Sequence, residues 1–176
     1  MGRFSSPLVN QILRLASNES SYRKSLLPVL YRVERLKRAH WDPAGKGAAG
    51  ILFTTGTRIL LLERSWQVED PGVWGISGGA LDWEDRNAIQ GAVRESREEL
   101  GKLPSGYKVI GKAVFQRGSW KYTTFVCRVA EDVADSYHPT LNWENDDYGW
   151  FDEDDLSYLD IHPGVEYVLD RVDVFD

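Results

Sequence analysis

The chain is 176 residues long, carries a net charge of −6, and is 42% hydrophobic with seven tryptophans. That length suits one domain with an appendage rather than two full domains, and the apolar content excludes a disordered chain. One cysteine, Cys127, excludes an internal disulfide, and no apolar run approaches the roughly 20 residues that cross a bilayer, so a cytoplasmic protein without a membrane or signal segment is expected.

Charge is unevenly spread. Residues 1–40 hold eight Lys/Arg against two Glu, a local +6, and the remainder holds thirteen against twenty-five, a local −12. Ser5-Ser6-Pro7 is a helix entry, and Leu8, Ile12, Leu13 and Leu15 follow at helical spacing. A second helix is predicted over 22–39, kinked at Pro28, with Leu26, Leu30 and Val33 among its apolar positions. Residues 1–43 therefore read as a helical extension that packs on the main domain or joins two copies as a homodimer. A basic nucleic-acid arm is the less favoured reading, because a basic helix face is more often merely solvated.

Asp42 to Gly47 is a turn-rich boundary that lacks the full phosphate-loop pattern, and 44–176 form the main domain. Ala49–Thr54 and Arg58–Arg64 read as a hairpin whose second arm is apolar enough for burial on both faces. After a polar loop, Val73–Ile76 is predicted as a short strand delivering Gly78-Gly79, where missing side chains let backbone approach a ligand.

The next segment is amphipathic. Ala88, Ala92 and Val93 form an apolar stripe, while Arg94, Glu95, Glu98 and Glu99 crowd the other side. Glu95, Glu98 and Glu99 stand at i, i+3 and i+4, on one face and within reach of a single ion. Like charges so spaced oppose the helix by about 0.2–0.5 kcal/mol per pair, a cost that a cation reverses. Oxygen donors alone suit Mg2+ or Mn2+.

Residues 107–116 and 120–129 read as two further strands, in which Trp120 and Tyr122 are candidates to stack on a base, against the commoner role of aromatic packing. Cys127, in an apolar run, reads as core rather than nucleophile. Residues 130–140 read as an acidic loop, Asp152–Leu156 as a helix start, and Val165, Val168, Leu169 and Val172 as the inward face of a closing helix. His40, His138 and His162 have no ligand spacing.

Gly79 followed by Arg94-Glu95-Ser96-Arg97-Glu98-Glu99-Leu100-Gly101 resembles the signature of the Nudix hydrolases, and the likeness extends over roughly residues 47–172. The chain departs from that signature at several places. The stretch from Gly79 to Arg94 is one residue too long, its acidic position falls to Glu84 or Asp85, Ser96 replaces an aliphatic residue, Lys102 another, and Ser77 stands where proline is common. The resemblance implies an α/β Nudix-type α/β/α sandwich with a mixed β-sheet, behind the N-terminal extension. It implies Mg2+ held by Glu95, Glu99 and the Gly79 carbonyl, with Glu98 as a further ligand or the proton acceptor and Arg94 orienting a glutamate. Glu144, six residues before Trp150, is the alternative general base, and Arg64 the residue near the phosphates. The implied reaction is hydrolysis of a diphosphate bond in a nucleoside diphosphate derivative or nucleoside triphosphate. RNA 5′-end processing and a non-catalytic nucleotide-binding module are the alternatives.

Overall fold

An apolar run becomes a strand when the fold can cover both of its faces, and Ala48–Thr54 shows the extreme case, with all seven residues buried at the centre of the sheet. The structure, a computed structural model, describes residues 47–175, so the expected N-terminal helices, the extension they form and the dimer contact assigned to them lie outside the described residues. In chain order the described elements are β1 (Ala48–Thr54), β2 (Ile59–Arg64), β3 (Trp74–Gly75), β4 (Ser77–Ala80), α1 (Ala88–Leu100), β5 (Lys108–Arg117), β6 (Trp120–Arg128), α2 (Glu131–Asp135), β7 (Asn145–Phe151) and α3 (Pro163–Leu169).

β1 runs parallel to β6 along its whole length, from Ala48 beside Tyr122 to Thr54 beside Arg128. Its other edge is shared: β4 pairs antiparallel with the first half, Ala48 to Ile51, and β2 meets the end at Thr54. β3 and β7 pair antiparallel with β2, and β5 closes the far side antiparallel to β6. One parallel pair among antiparallel ones makes the sheet mixed, as expected.

Alternation along the strands creates two cores. Ala49, Ile51 and Phe53 of β1 face Ala92 and Leu100 of α1 and Ala134 of α2. Leu52, with Ile59 and Leu61 of β2, faces Val165 and Val168 of α3. The sheet is thus sandwiched between helices on both faces. Among the described residues no helix is long and apolar enough to cross a membrane.

Three sequence expectations change here. The strand at Val73–Ile76 divides, so that Trp74–Gly75 pairs with β2 while Gly78 and Gly79 lie inside β4, paired to β1, rather than in a turn beyond a strand. The reason is that β1 and β2 separate below their shared turn, and each recruits its own partner. Residues 130–140 include α2, whose first turn holds Glu131 and Asp132 at the positive end of the helix and whose Ala134 packs in the core. Asp152–Leu156 yields only a 3-10 turn at Asp155–Tyr158, started by Asp152 Oδ1 accepting from Asp155 N at 2.9 Å.

Candidate active site

The site grows out of how α1 starts and stops. Asn87, extended at φ −159°, caps the helix by accepting from Gln90 N at 3.1 Å, and Gly101 ends it at φ 73°, its N–H bonded to Arg97 O. Successive residues turn about 100° around the axis, so Ala92, Ser96, Glu99 and Leu100 share the side packed on the sheet. Glu95 borders that side, and Glu98 and Arg94 lie further round.

The three carboxylates of this helix differ in how far they reach water. Glu99 is 6% exposed, whereas the side chains of Glu95 and Glu98 are 17% and 49% exposed. The physical reason is β4, which presents glycines where these glutamates arrive. A Cβ at Gly79 would stand 2.6 Å from Cδ of Glu95, and Gly78 N donates to Glu99 Oε1 at 3.4 Å. Gly78 faces the other way, and a Cβ there would lie 2.6 Å from the Ala49 carbonyl and 2.6 Å from the Tyr122 hydroxyl. Each glycine of the pair is thus required by a different face of the sheet.

Arg94 ties this arrangement together. Its Nη2 donates to Asp85 Oδ2 and to Ala80 O, both at 2.9 Å, its Nε to Asp85 Oδ1 at 3.3 Å, and its Nη1 to Glu95 Oε1 at 2.6 Å and Glu98 Oε1 at 3.4 Å. Burial works against the guanidinium charge, but the bonds from Asp85 and Glu95 outweigh it and raise its pKa above the ordinary value. Arg94 accordingly pairs with Glu95 and also locks the loop after β4. Asp85, not Glu84, fills the acidic position of that loop, because the aspartate is the one facing the helix, with its side chain 7% exposed, while Glu84 is exposed.

Sequence reasoning missed two supports. Gly91 gives Asp85 its room, since a Cβ there would stand 2.9 Å from Asp85 Oδ2 and collide with Leu81. The signal is a glycine inside a helix, a choice that costs about 1 kcal/mol against alanine. The second support joins the two departures Ser77 and Ser96, where Ser77 Oγ donates to Ser96 Oγ at 2.7 Å, with both residues buried.

Glu144 arrives on a loop clipped at both sides. Thr140 N and Asn142 N donate at 3.0 Å to the carbonyls of Leu100 and Glu99 in the last turn of α1, and Ser65 N, just past β2, donates at 2.8 Å to the Glu144 carbonyl. That backbone places the Glu144 loop beside Glu99. Arg64 is not tied to the carboxylates: its Nε donates at 2.7 Å to Glu69 O within its own loop, and burial together with Arg64 lowers the pKa of neighbouring His162. Trp120 and Tyr122 lie on the α3 side of the sheet, opposite α1, and Tyr122 meets the site only from behind Gly78. Cys127 is core, fully buried, with its thiol pushed up to about 12 by burial. His138 Nδ1 meets the Tyr148 hydroxyl at 3.1 Å, and His162 caps α3.

Among the described residues no three His, Cys, Asp or Glu side chains stand together as a ready-made cation cage, because Arg94 holds Glu95 and Glu98 while Glu99 turns to Gly78. The donor chemistry still fits a hard divalent cation, since the side chains at this glycine-lined edge, where Gly79 leaves room for Glu95, offer carboxylate oxygens.

Residues 44–172 match the family model described as NUDIX domain. A provisionally named 8-oxo-dGTP diphosphatase 3 from Mycobacterium tuberculosis is 33% identical over 137 residues, covering 72% of this chain and 60% of that protein. A nucleoside triphosphate pyrophosphatase/Nudix hydrolase fusion protein from Bifidobacterium longum is 35% identical over 94 residues, 49% of this chain and 19% of its own length. The chain thus spans less than two thirds of either curated relative. A crystal structure of a Nudix hydrolase from M. smegmatis, RenU, superposes with a TM-score of 0.60 at 29% identity, covering 71% of this chain and 81% of that one.

Proposed function

The chain belongs to the Nudix family, and from that premise we propose that it is a Mg2+-dependent pyrophosphohydrolase. Its substrate is a nucleoside triphosphate or nucleoside diphosphate derivative, cleaved at a diphosphate bond by water. The observation that carries this reading is the fit of Glu95 and Glu99 to the two glycines of β4, one carboxylate against Gly79 and the other bonded to Gly78 N. Glu95, Glu99 and the Gly79 carbonyl would hold the ion, with Glu98 as a further ligand. When bound, the ion offsets phosphate charge and acidifies a water.

The remaining steps belong to side chains. Arg94 holds Glu95 from one side while anchoring the loop at Asp85, and an arriving ion competes with that bond for the carboxylate. Where Glu98, the most exposed of the three, does not serve as a ligand, it accepts the proton from the attacking water, and Glu144 on its clipped loop is the alternative acceptor. The names of the two curated relatives support nucleoside triphosphates, an oxidised purine nucleotide among them, as first substrates to assay.

Glu95→Gln and Glu99→Gln should each lower Mg2+-dependent pyrophosphate release by about a hundredfold or more, with the circular dichroism spectrum unchanged. A panel of normal and oxidised deoxynucleoside triphosphates, ADP-ribose, nucleotide sugars and dinucleoside polyphosphates selects the substrate. Full activity in both variants would sink the ligand assignment.

A further inference from the structure

Most tryptophans among the described residues are at least partly covered. Trp74 packs edge-on against Phe151 at 4.8 Å, Trp120 contacts Phe115 and Tyr122, and Trp143 and Trp150 are half-buried. Trp66 and Trp83 differ, at 77% and 73% exposed. Single exposed apolar residues are commonplace, so what sets these two apart is their place.

β7 pairs with β2 from end to end, so β3 takes the other edge of β2, between it and β1, where β4 pairs with β1. β2 and β4 both run antiparallel to β1 and therefore finish at the same end of the sheet, at Arg64 and Ala80. Trp66 follows two residues after Arg64, and Trp83 three after Ala80. Glu95 meets Gly79, next to the end of β4, and Asn145 pairs with Arg64, which brings Glu144 to the same end. From β2 across β3 to β4 is two strand spacings, roughly 10 Å. That is a distance which the sugar and phosphates of a nucleotide can bridge.

The backbone around Trp66 is fixed. Ser65, fully buried, donates its N–H to the Glu144 carbonyl at 2.8 Å and its hydroxyl to the Trp143 carbonyl at 2.9 Å, and the same hydroxyl accepts from Gln67 N at 3.2 Å. Further round the loop, Gly72 N donates to Arg64 O at 2.8 Å and Arg64 Nε to Glu69 O at 2.7 Å. Asn142 N, bonded to Glu99 O, carries the connection on to α1, so backbone contacts lead from Trp66 to the carboxylate helix. Trp83 is linked differently. Its turn, in which Asp82 N donates to Asp85 Oδ2 at 2.6 Å, meets Glu95 through the Arg94 guanidinium, so paired charges take up the ground on that side.

We propose that Trp66 is the base-stacking residue of this site and selects purine nucleotides by the area of ring that it covers. The assignment deepens the hydrolase reading, on which the place of the diphosphate at Glu95 and Glu99 rests. An indole on a fixed loop gives up little freedom when a base settles on it, and stacking responds to ring size rather than to the hydrogen-bonding edge. Adenine and guanine are then accepted alike, both ahead of cytosine and uracil.

The test is calorimetric titration of the full chain, in Mg2+, with GMP, CMP and the base-free ribose 5-phosphate, which needs no turnover. GMP should bind at least about fivefold more tightly than ribose 5-phosphate and about threefold more tightly than CMP. Trp66→Ala should erase both differences and leave ribose 5-phosphate binding unchanged, while Trp66→Phe keeps most of the first. In steady-state hydrolysis of GTP, Trp66→Ala should raise KM about fivefold or more with kcat within about twofold of the parent. Trp83→Ala, the comparison, should alter neither difference, and thermal unfolding confirms that each variant folds. GMP binding no tighter than ribose 5-phosphate, differences that survive in Trp66→Ala, or their loss in Trp83→Ala instead would overturn the proposal. So would a dimer, seen by light scattering, that Trp66→Ala dissociates. Absence of turnover with both binding differences intact would instead sink the hydrolase reading and leave the stacking assignment standing.

Discussion

A buried hydroxyl without a partner costs about 1–3 kcal/mol, and apart from a long 3.5 Å bond from Ser77 Oγ to the Ile51 carbonyl, Ser77 and Ser96 rely on each other. Together they form one 2.7 Å bond between β4 and α1, one residue away from both Gly78 and Glu95. Ser96→Ala and Ser77→Ala should each destabilise the fold by about 1–2 kcal/mol, and the double variant should lose less than the sum. Urea denaturation of the four proteins measures the cycle, and strict additivity would show that the pair is uncoupled. The two departures from the Nudix signature were legible in the sequence, but their meeting was not, because residues nineteen apart give no sign of which face each one takes. Asp85 illustrates the same boundary. Glu84 and Asp85 are equivalent by spacing, and only the Arg94 bond and the room left by Gly91 separate them.

Elements long enough to show a period were legible, including β1, β2, β5, β6 and α1. Those held by their surroundings were not. α2 has five residues, below what a helix sustains alone, and exists because Ala134 and nearby Tyr137 reach the core. α3, read in the sequence as the closing helix, starts on a cap that was not read, in which His162 Nδ1 accepts from Gly164 N at 2.9 Å, a role open only to the neutral ring. Burial, aided by Arg64, lowers the His162 pKa below its ordinary 6.5. The fold thus favours the unprotonated form, so this contribution is complete above pH 6.5 and is lost as pH falls through the folded-state value. The melting temperature should drop between pH 7.5 and 5, and His162→Asn, a cap that does not titrate, should drop less. Equal losses in both proteins would remove His162 from the account.

At the scale of the whole molecule, apolar patterning marked individual strands and helices, and the Nudix resemblance supplied the layered α/β architecture and its mixed sheet. Period-two patterning marks a strand without choosing its neighbour, which is why the separate partners of β1 and β2 stayed hidden. One long tie crosses these layers. The turn between β1 and β2 reaches α2 through Thr57 and Arg58, both of which donate to Glu131, and Arg58 Nη2 also stands 2.8 Å from Asp135. Thr57 first and Arg58 next hold the Glu131 carboxyl down to about 2 from its ordinary 4.5. Its stabilising effect is complete above pH 4.5 and vanishes as pH falls through about 2. Urea midpoints measured at pH 6 and pH 3 should therefore decline less in Glu131→Gln than in the parent, and an identical decline would show that the tie adds nothing to global stability.

The parallel partnership of β1 with β6 also governs the order in which the chain can mature. Ala48 finds Tyr122 only after four intervening strands and one helix have been synthesised, so the most water-averse strand waits unpaired on that edge while the ribosome works. Distant pairings of this kind slow refolding and expose sticky intermediates. Dilution from denaturant should accordingly give yields that fall with protein concentration, and a chaperone that shields β1 should restore them.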